Sequence, residues 1–468
     1  MLGFPDILIR RMTGSPLALS TDLYELTMAA AYFESGFHEP AIFELFVRAL
    51  PRRRSYLIVA GLPQAIDYLT NFRFSGEQVE FLRRLPVFKH VTAEFFQYLV
   101  ELRFNGDAWA MPEGRAAFGM EPLLRITASI VQAQLVETVL LSIINFQTLI
   151  ASKAARIVTA AGGREVVEFG ARRAHGPEAG VFAGRAAYLA GCAGTSNLEA
   201  GRRFGIPTFG TMAHSFIMAF NREEEAFRAF LKSFPDTATI LLDTYDTLAA
   251  AKMLAAKFGP AVPAVRLDSG NLLSLSRRVR RLFDDAGMRN TRVFATGDLN
   301  EERIARLIAR GAPIDGFGVG TDLSTSRDAP ALGGVYKLVG QSTERGIRGR
   351  IKASPEKSIY PLPKQVWRFI GRNGKYTGDL VAGADERIRS ASAAPLLHPV
   401  MRKGRVVANA VSSLEEARTR AAEELRRLPP ALVQMETRAD YPVRFSEALQ
   451  HARRELAAKF ASKTGRFR

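Results

Sequence analysis

Apolar residues in the middle of this chain come in short runs that stop abruptly on a polar side chain or a glycine. Val166-Val-Glu168, Ile240-Leu-Leu-Asp243, Val265-Arg-Leu-Asp268, Val293-Phe-Ala-Thr-Gly-Asp298 and Phe317-Gly-Val-Gly320 all have this form. Runs this short read as buried strands. Between most of them apolar positions recur with a helical period, which predicts amphipathic helices over 246–257, 272–286 and 300–310. The strand ends fall at 168, 196, 211, 243, 268, 298 and 320. Spacings of ~25 to 30 residues suit the βα units of a barrel of roughly 250 residues. The short interval from 196 to 211 predicts an irregular barrel. In such a fold the reactive side chains stand at the carboxyl ends of successive parallel strands.

The flanks have other patterns. The first sixteen or so residues read as a loose lead-in closed by Gly14-Ser-Pro16, after which Ser20-Thr-Asp-Leu-Tyr-Glu opens a helix that Ser20 or Asp22 could cap. Ala41–Val47 alternates as a strand, 62–103 is mostly helical, 104–130 is strand-rich, and a long helix is expected over 132–156. Beyond 345 Lys352, Pro355, Lys357, Pro361, Pro363 and Lys364 punctuate the chain, and charged helical stretches come near 413–427 and 445–462. The expected organisation is an N-terminal α+β segment (1–130), an α/β barrel (131–345) and a C-terminal segment (346–468) that packs with the first.

At 468 residues, 47% hydrophobic and 24% charged, the chain has the composition of a soluble globular protein of two or three domains. A formal charge of +17 raises the question of nucleic acid. The basic residues are spread, however, with no block longer than Arg52-Arg53-Arg54, so no nucleic-acid partner is expected. A basic pocket for a small anion stays open. Cys192 is the only cysteine, which excludes an intrachain disulfide and suits a reducing cytoplasm. Its small-residue surroundings, Ala190-Gly-Cys-Ala-Gly194, suggest a packed side chain rather than a nucleophile. The N-terminal arginines come after the apolar residues, the wrong order for a secretory signal. The longest uncharged, largely apolar stretch, 138–152, is too short to span a bilayer, and no membrane association is expected.

Candidate chemistry gathers at the strand ends. His214, in Gly210-Thr-Met-Ala-His-Ser-Phe216, could act as general base, metal ligand or phosphoryl acceptor. A lone histidine is more often structural, but acids and glycines from several strand ends converge on the same face. Asp268-Ser269-Gly270 and Gly297-Asp298 suit a ribose diol or a Mg2+-bound pyrophosphate, although Asp298 could equally cap the next helix. Gly316-Phe-Gly-Val-Gly-Thr-Asp322 resembles a phosphate-binding loop at a late barrel strand, and it lacks the third glycine of the dinucleotide fingerprint. Phe169 beside Arg172 and Arg173 offers a ring to stack on and guanidinium groups for an anion.

Together these motifs resemble the nicotinate phosphoribosyltransferase family. The resemblance is carried by Thr21-Asp-Leu-Tyr24-Glu-Leu-Thr-Met, Glu168-Phe-Gly-Ala-Arg-Arg-Ala-His-Gly-Pro177, Gly194-Thr-Ser-Asn197 and Gly210-Thr-Met-Ala-His-Ser-Phe216. It extends through Arg266-Leu-Asp-Ser-Gly270, Gly297-Asp298, Phe317-Gly-Val-Gly-Thr321 and Gly333-Gly-Val-Tyr-Lys-Leu338, and covers about 18 to at least 370. It implies an irregular (β/α) barrel of type II phosphoribosyltransferase kind, with an additional α+β domain built from N- and C-terminal segments. It also implies transfer of a phosphoribosyl group from 5-phosphoribosyl pyrophosphate to nicotinate for NAD biosynthesis, coupled to ATP hydrolysis through a phosphohistidine. By that resemblance His214 is the phosphohistidine and works with Asp268 and Asp298, while Phe169 stacks on the pyridine and Arg172 sits at the base and phosphate end. Ser196, Thr211, Ser269, Gly270, Gly297, Gly320 and Thr321 line the substrate pocket, and Tyr24 reaches in from the second subunit of a homodimer. ATP is a co-substrate, and Mg2+ rides on the pyrophosphate rather than in a protein cage.

The related nicotinamide enzyme carries an aspartate in the loop matching Gly194-Thr-Ser-Asn197. This chain has no acid there, and Ser196 or Asn197 could donate to a carboxylate, so nicotinate is expected over nicotinamide. Two positions depart from the family pattern. Asp322 stands where some members have arginine, which would pass the carboxylate contact to Arg172, Arg173 or Arg327, and Pro361-Leu-Pro363 stands where Pro-Gly is usual. Rival readings are a quinolinate or nicotinamide phosphoribosyltransferase and, in another class, a non-catalytic basic binding protein.

Overall fold

The computed structural model describes residues 17–352, 359–435 and 438–464, with side chains to 459; the lead-in before Leu17, together with Pro355 and Lys357, lies outside the described residues. The chain divides into two compact units: 150–330, and 1–149 together with 331–468.

Unit 150–330 is a parallel α/β assembly. Its strands are β1 (Glu165–Glu168), β2 (Gly194–Thr195), β3 (Thr239–Leu241), β4 (Ala264–Leu267), β5 (Arg292–Ala295) and β6 (Gly316–Val319). They lie in the order β2-β1-β6-β5-β4-β3, every pair parallel. First and last strands are thus neighbours, as in a closed barrel, and the ladder is interrupted between β2 and β3. Helices Pro177–Leu189, Thr247–Lys257, Leu272–Asp285 and Glu301–Ala309 link successive strands, and Val166, Val167, Ile240, Val265, Leu267, Val293, Phe317 and Val319 fill the buried interior.

The irregularity has a local cause. The apolar stretch before His214, expected to end a strand at 211, makes one parallel bridge (Thr195 with Thr208) and otherwise runs as loop. Gly205 ends helix Leu198–Phe204 at φ +68°, and Pro207 and Gly210 keep the chain beyond it out of regular structure. His214 therefore sits at the start of a short helix, His214–Met218, behind a loop rather than directly on a strand end.

The other unit is α+β. Strand Pro40–Val47 pairs antiparallel with Pro122–Ser129 and with Gly334–Thr343, and His398–Arg402 pairs with Asp107–Ala110. N- and C-terminal segments thus share one seven-stranded sheet. Helices Leu23–Glu34, Leu62–Thr70, Gly76–Arg83 and Ala93–Glu101 belong to the same unit, and Leu26, Leu69, Phe95 and Leu99 join its core. The stretch after 345, marked in sequence only by lysines and prolines, contains the hairpin Lys364–Ile370 and Tyr376–Gly383. Its buried Arg368 pairs with Asp379 (2.6 Å) and Glu424 (2.9 Å). Residues 331–345, expected from the sequence to belong with the barrel, are part of this unit instead.

The long helix expected over 132–156 is two helices, Ile130–Leu135 and Glu137–Ala160. The second is long and apolar enough to cross a bilayer, unlike the shorter uncharged stretch 138–152 within it, and 72% of its apolar window is buried within the protein. Cys192 is fully buried.

Candidate active site

The carboxyl ends of the parallel strands open into two clefts that share Phe169, Arg172, Arg266 and Asp268. One, of about 420 Å³, adds Ser196, Phe209, Gly210, Thr211 and His214. The other, of about 250 Å³, adds Arg173, Thr296, Gly297, Asp298, Gly320 and Thr321. Ten of the residues singled out in sequence are therefore brought together: Phe169, Arg172, Ser196, Thr211, His214, Asp268, Gly297, Asp298, Gly320 and Thr321.

His214 is partly exposed, its Nδ1 3.2 Å from Thr244 Oγ1 and its Nε2 3.7 Å from Asp268 Oδ2. Asp268 is the most connected carboxylate. Arg266 Nη2 lies 2.9 Å from its Oδ1, and Thr296 Oγ1 donates to the same oxygen. Burial alone would raise its pKa, but the hydrogen bonds from Arg266 and Thr296, with the nearby Arg266 and His214, hold it below the usual carboxylate value. Asp268 is thus ionised at neutral pH. Asp243 fixes this strand end from the side, accepting from Asp268 N (3.1 Å) and from Ser269 Oγ.

Phe169 leaves β1 with its amide donating to Val319 O (2.8 Å). Its ring rests over Gly318, where an added Cβ would stand 2.5 Å from the ring. Gly316 is similarly closed by Phe294. Two of the three glycines in the expected phosphate loop are therefore strand residues that make room for aromatic rings. Only Gly320-Thr321 forms the loop, which opens helix Thr321–Ser324. Behind Phe169 the buried Glu168 accepts from Thr195 Oγ1 (2.6 Å) and from Gly170 N; burial raises its pKa, and these bonds oppose the rise.

Gly297 has φ +90°, and a Cβ there would collide with Asp268 O. Asp298 comes next, at φ +48°. The capping role considered for Asp298 falls to Asn300, whose side chain accepts from Arg303 N (2.9 Å), and the Asp298 carboxylate belongs to the cleft. Asn197 likewise caps helix Leu198–Phe204 (Oδ1 to Ala200 N, 3.0 Å), so Ser196 is the member of its loop that lines the cleft.

Four expected residues stand elsewhere. Ser269 turns toward Asp243, and Gly270 borders a separate hollow with Arg303, Arg306 and Arg310. Arg327 is exposed and lies 3.9 Å from Asp322, outside both clefts. Asp322 itself is buried 3.9 Å from Lys153, which also pairs with Glu301 (2.6 Å) and Asp328 (2.9 Å). Its carboxylate thus joins a buried ion cluster, and Arg172 and Arg173 are the arginines present in the cleft. Tyr24 lies in the other unit, 47% exposed, its hydroxyl pKa pushed up to about 12 by partial burial and by Glu137, Glu25 and Asp22. Arg266, Glu168, Asp243, Thr244 and Thr296 escaped the sequence-based choice of site residues. The signal for Arg266 was a charged residue inside an otherwise apolar strand.

Among the described residues no group of three or more His, Cys, Asp or Glu side chains is placed to hold a metal ion.

Comparison with known proteins points the same way. The model of the nicotinate phosphoribosyltransferase N-terminal domain matches residues 19–145, that of the quinolinate phosphoribosyl transferase C-terminal domain 150–328, and that of the nicotinate phosphoribosyltransferase C-terminal domain 387–453. Nicotinate phosphoribosyltransferase pncB2 of Mycobacterium tuberculosis is 47% identical over 440 residues, covering 92% of each chain. The Bacillus subtilis nicotinate phosphoribosyltransferase is 43% identical over 82% of this chain and 80% of its own length. The crystal structure of human nicotinic acid phosphoribosyltransferase superposes with a TM-score of 0.83 at 29% identity, covering 93% of this chain and 99% of that one. With strand-end chemistry, cleft and relatives in agreement, the chain belongs to the nicotinate phosphoribosyltransferase family.

Proposed function

We propose that this protein joins nicotinate to 5-phosphoribosyl pyrophosphate, giving nicotinate mononucleotide and pyrophosphate for NAD biosynthesis, with ATP consumed through phosphorylation of His214. The observation that carries this reading is the joint cleft, in which a flat ring (Phe169), two arginines (Arg172, Arg173), an ionised carboxylate (Asp268) and a histidine converge.

Nicotinate stacks on Phe169, with its carboxylate toward Arg172 and Ser196 and its ring nitrogen toward the ribose. The C1–O bond to pyrophosphate breaks with its electron pair leaving on the pyrophosphate oxygen, and the pyridine nitrogen forms the new bond to C1. Positive charge that develops at C1 is stabilised by Asp268 and Asp298. Gly320 and Thr321 offer backbone N–H groups to a phosphate. The residues present fit Mg2+ carried in on the pyrophosphate, with Asp268 and Asp298 the carboxylates able to hold it, where it would neutralise the leaving anion.

No acidic side chain stands in the Gly194–Asn197 loop, and the nearby Glu168 is buried against Thr195 and Gly170. A carboxylate substrate therefore meets donors rather than a like charge. Phosphorylation of His214 adds negative charge beside Asp268, and that charge links ATP use to the affinity for substrate and pyrophosphate. Tyr24, exposed next to the exposed Leu23, completes the site of a second copy in a homodimer. The fully buried lone cysteine suits a reducing cytoplasm.

The test is transfer of radiolabel from ATP. The wild-type protein should form an acid-labile phosphohistidine and turn over nicotinate faster with ATP than without. His214→Ala should lose both the label and the ATP stimulation. Retained labelling at another residue would remove His214 from this role.

A further inference from the structure

Arg266 stands where the two clefts meet and binds three segments of unit 150–330 at once. Its Nε donates to Thr296 Oγ1 (2.8 Å), after β5. Its Nη1 donates to Thr211 Oγ1 (2.7 Å) and Met212 O (3.2 Å), in the loop that leads into His214. Its Nη2 lies 2.9 Å from Asp268 Oδ1. The network closes on itself, because Thr296 Oγ1 also donates to Asp268 Oδ1. Only 13% of the Arg266 side chain is exposed, so these bonds are partly shielded from water.

The arrangement matters because the loop before His214 lacks a strand ladder to hold it. Past Phe209, whose amide reaches Thr195 O, the loop reaches His214 with Arg266 gripping two consecutive residues of it. The same guanidinium takes one oxygen of Asp268, whose other oxygen faces His214 Nε2 at 3.7 Å. A planar fork with five donors can span these directions together; a lysine offers one point charge.

We propose that Arg266 is a positioning residue that sets the spacing between His214 and Asp268, clasping the loop that carries one and the carboxylate of the other. This rests on the reading of His214 and Asp268 given above, and it adds a residue that does no bond-making itself.

The test compares Arg266→Gln, Arg266→Lys and Thr211→Val in the full-length protein. Readouts are the rate of His214 labelling from ATP, the pH profile of kcat/KM for nicotinate, and a thermal melt. Arg266→Gln should lower labelling and kcat/KM by about 10²-fold, the scale of a small misplacement of reacting groups. It should also move the acid limb of the profile up by about one pH unit, because Asp268 loses its cationic partner. Arg266→Lys should restore the acid limb but not the labelling. Thr211→Val, which removes one arm of the clasp, should slow labelling and leave the acid limb in place. Wild-type labelling with an unmoved limb in Arg266→Gln overturns the inference while leaving the transferase reading intact. Failure of the unmutated protein to turn over nicotinate refutes that reading instead. If Arg266→Gln does not fold, Thr211→Val decides, and wild-type labelling there overturns the proposal.

Discussion

Asp298 shows what the site asks of single residues. Its φ of +48° places an aspartate in the left-handed region, which costs a residue with a Cβ roughly 1–2 kcal/mol. Gly297 beside it must be glycine for a different reason, since any Cβ would strike the Asp268 carbonyl. The turn therefore brings one carboxylate into the cleft against the backbone of the other. A glycine at 298 relieves the strain and removes the carboxylate. Asp298→Gly should leave the thermal midpoint unchanged or raise it slightly, while kcat/KM falls by about 10²-fold or more. Differential scanning calorimetry beside steady-state kinetics checks both, and retained activity would show that the carboxylate has no part in transfer. Motif spacing in the sequence brought out His214, Asp268 and Asp298 because they end apolar runs. Arg266 and Glu168 were hidden because their work is done on other side chains, at distances that only folding reveals.

At the scale of elements, helix Leu23–Glu34 carries a carboxyl under strain of another kind. Glu25 is buried beside Glu137 and Asp22, and accepts from Thr138 Oγ1 (2.6 Å) and from Thr21. Burial raises its pKa to about 7, with the neighbouring carboxylates adding to the rise and the two threonines opposing it. A carboxyl whose folded pKa lies above its unfolded value favours the folded state only by holding a proton. Its contribution is most favourable below about pH 4.5 and worsens as pH rises to about 7. Glu25→Gln should therefore melt higher than wild type at pH 8, and the advantage should vanish near pH 4. Melting curves at the two pH values measure this, and an advantage of equal size at both would refute the ionisation account. Element identity was mostly legible in the sequence. The strand at 40–47 and the helices near 247–257, 272–285 and 301–309 are recovered from period alone. The hairpin after 364 was not, because lysines and prolines mask its alternation and it buries Arg368 through ion pairs rather than an apolar face.

For the whole molecule, the parallel order β2-β1-β6-β5-β4-β3 makes a barrel interrupted where the chain passes through the His214 loop. The uneven strand spacing announced an irregularity, but its nature needed the fold: one bridge at Thr208 in place of a strand. The sharing of one antiparallel sheet by 40–47 and 334–343 was likewise beyond local pattern, since pairing partners so distant in the chain leave no periodic trace. The +17 charge is an overall property, while recognition in the cleft falls to Arg172 and Arg173. The most direct measurement of the central claim is product analysis with nicotinate, nicotinamide and quinolinate, each with 5-phosphoribosyl pyrophosphate and with or without ATP. The account predicts nicotinate mononucleotide and pyrophosphate in equal amounts from nicotinate, stimulation by ATP, and at least about 10²-fold lower kcat/KM for nicotinamide, whose neutral amide cannot use the charged contact with arginine. Comparable efficiency with nicotinamide, or preference for quinolinate without ATP, would contradict it.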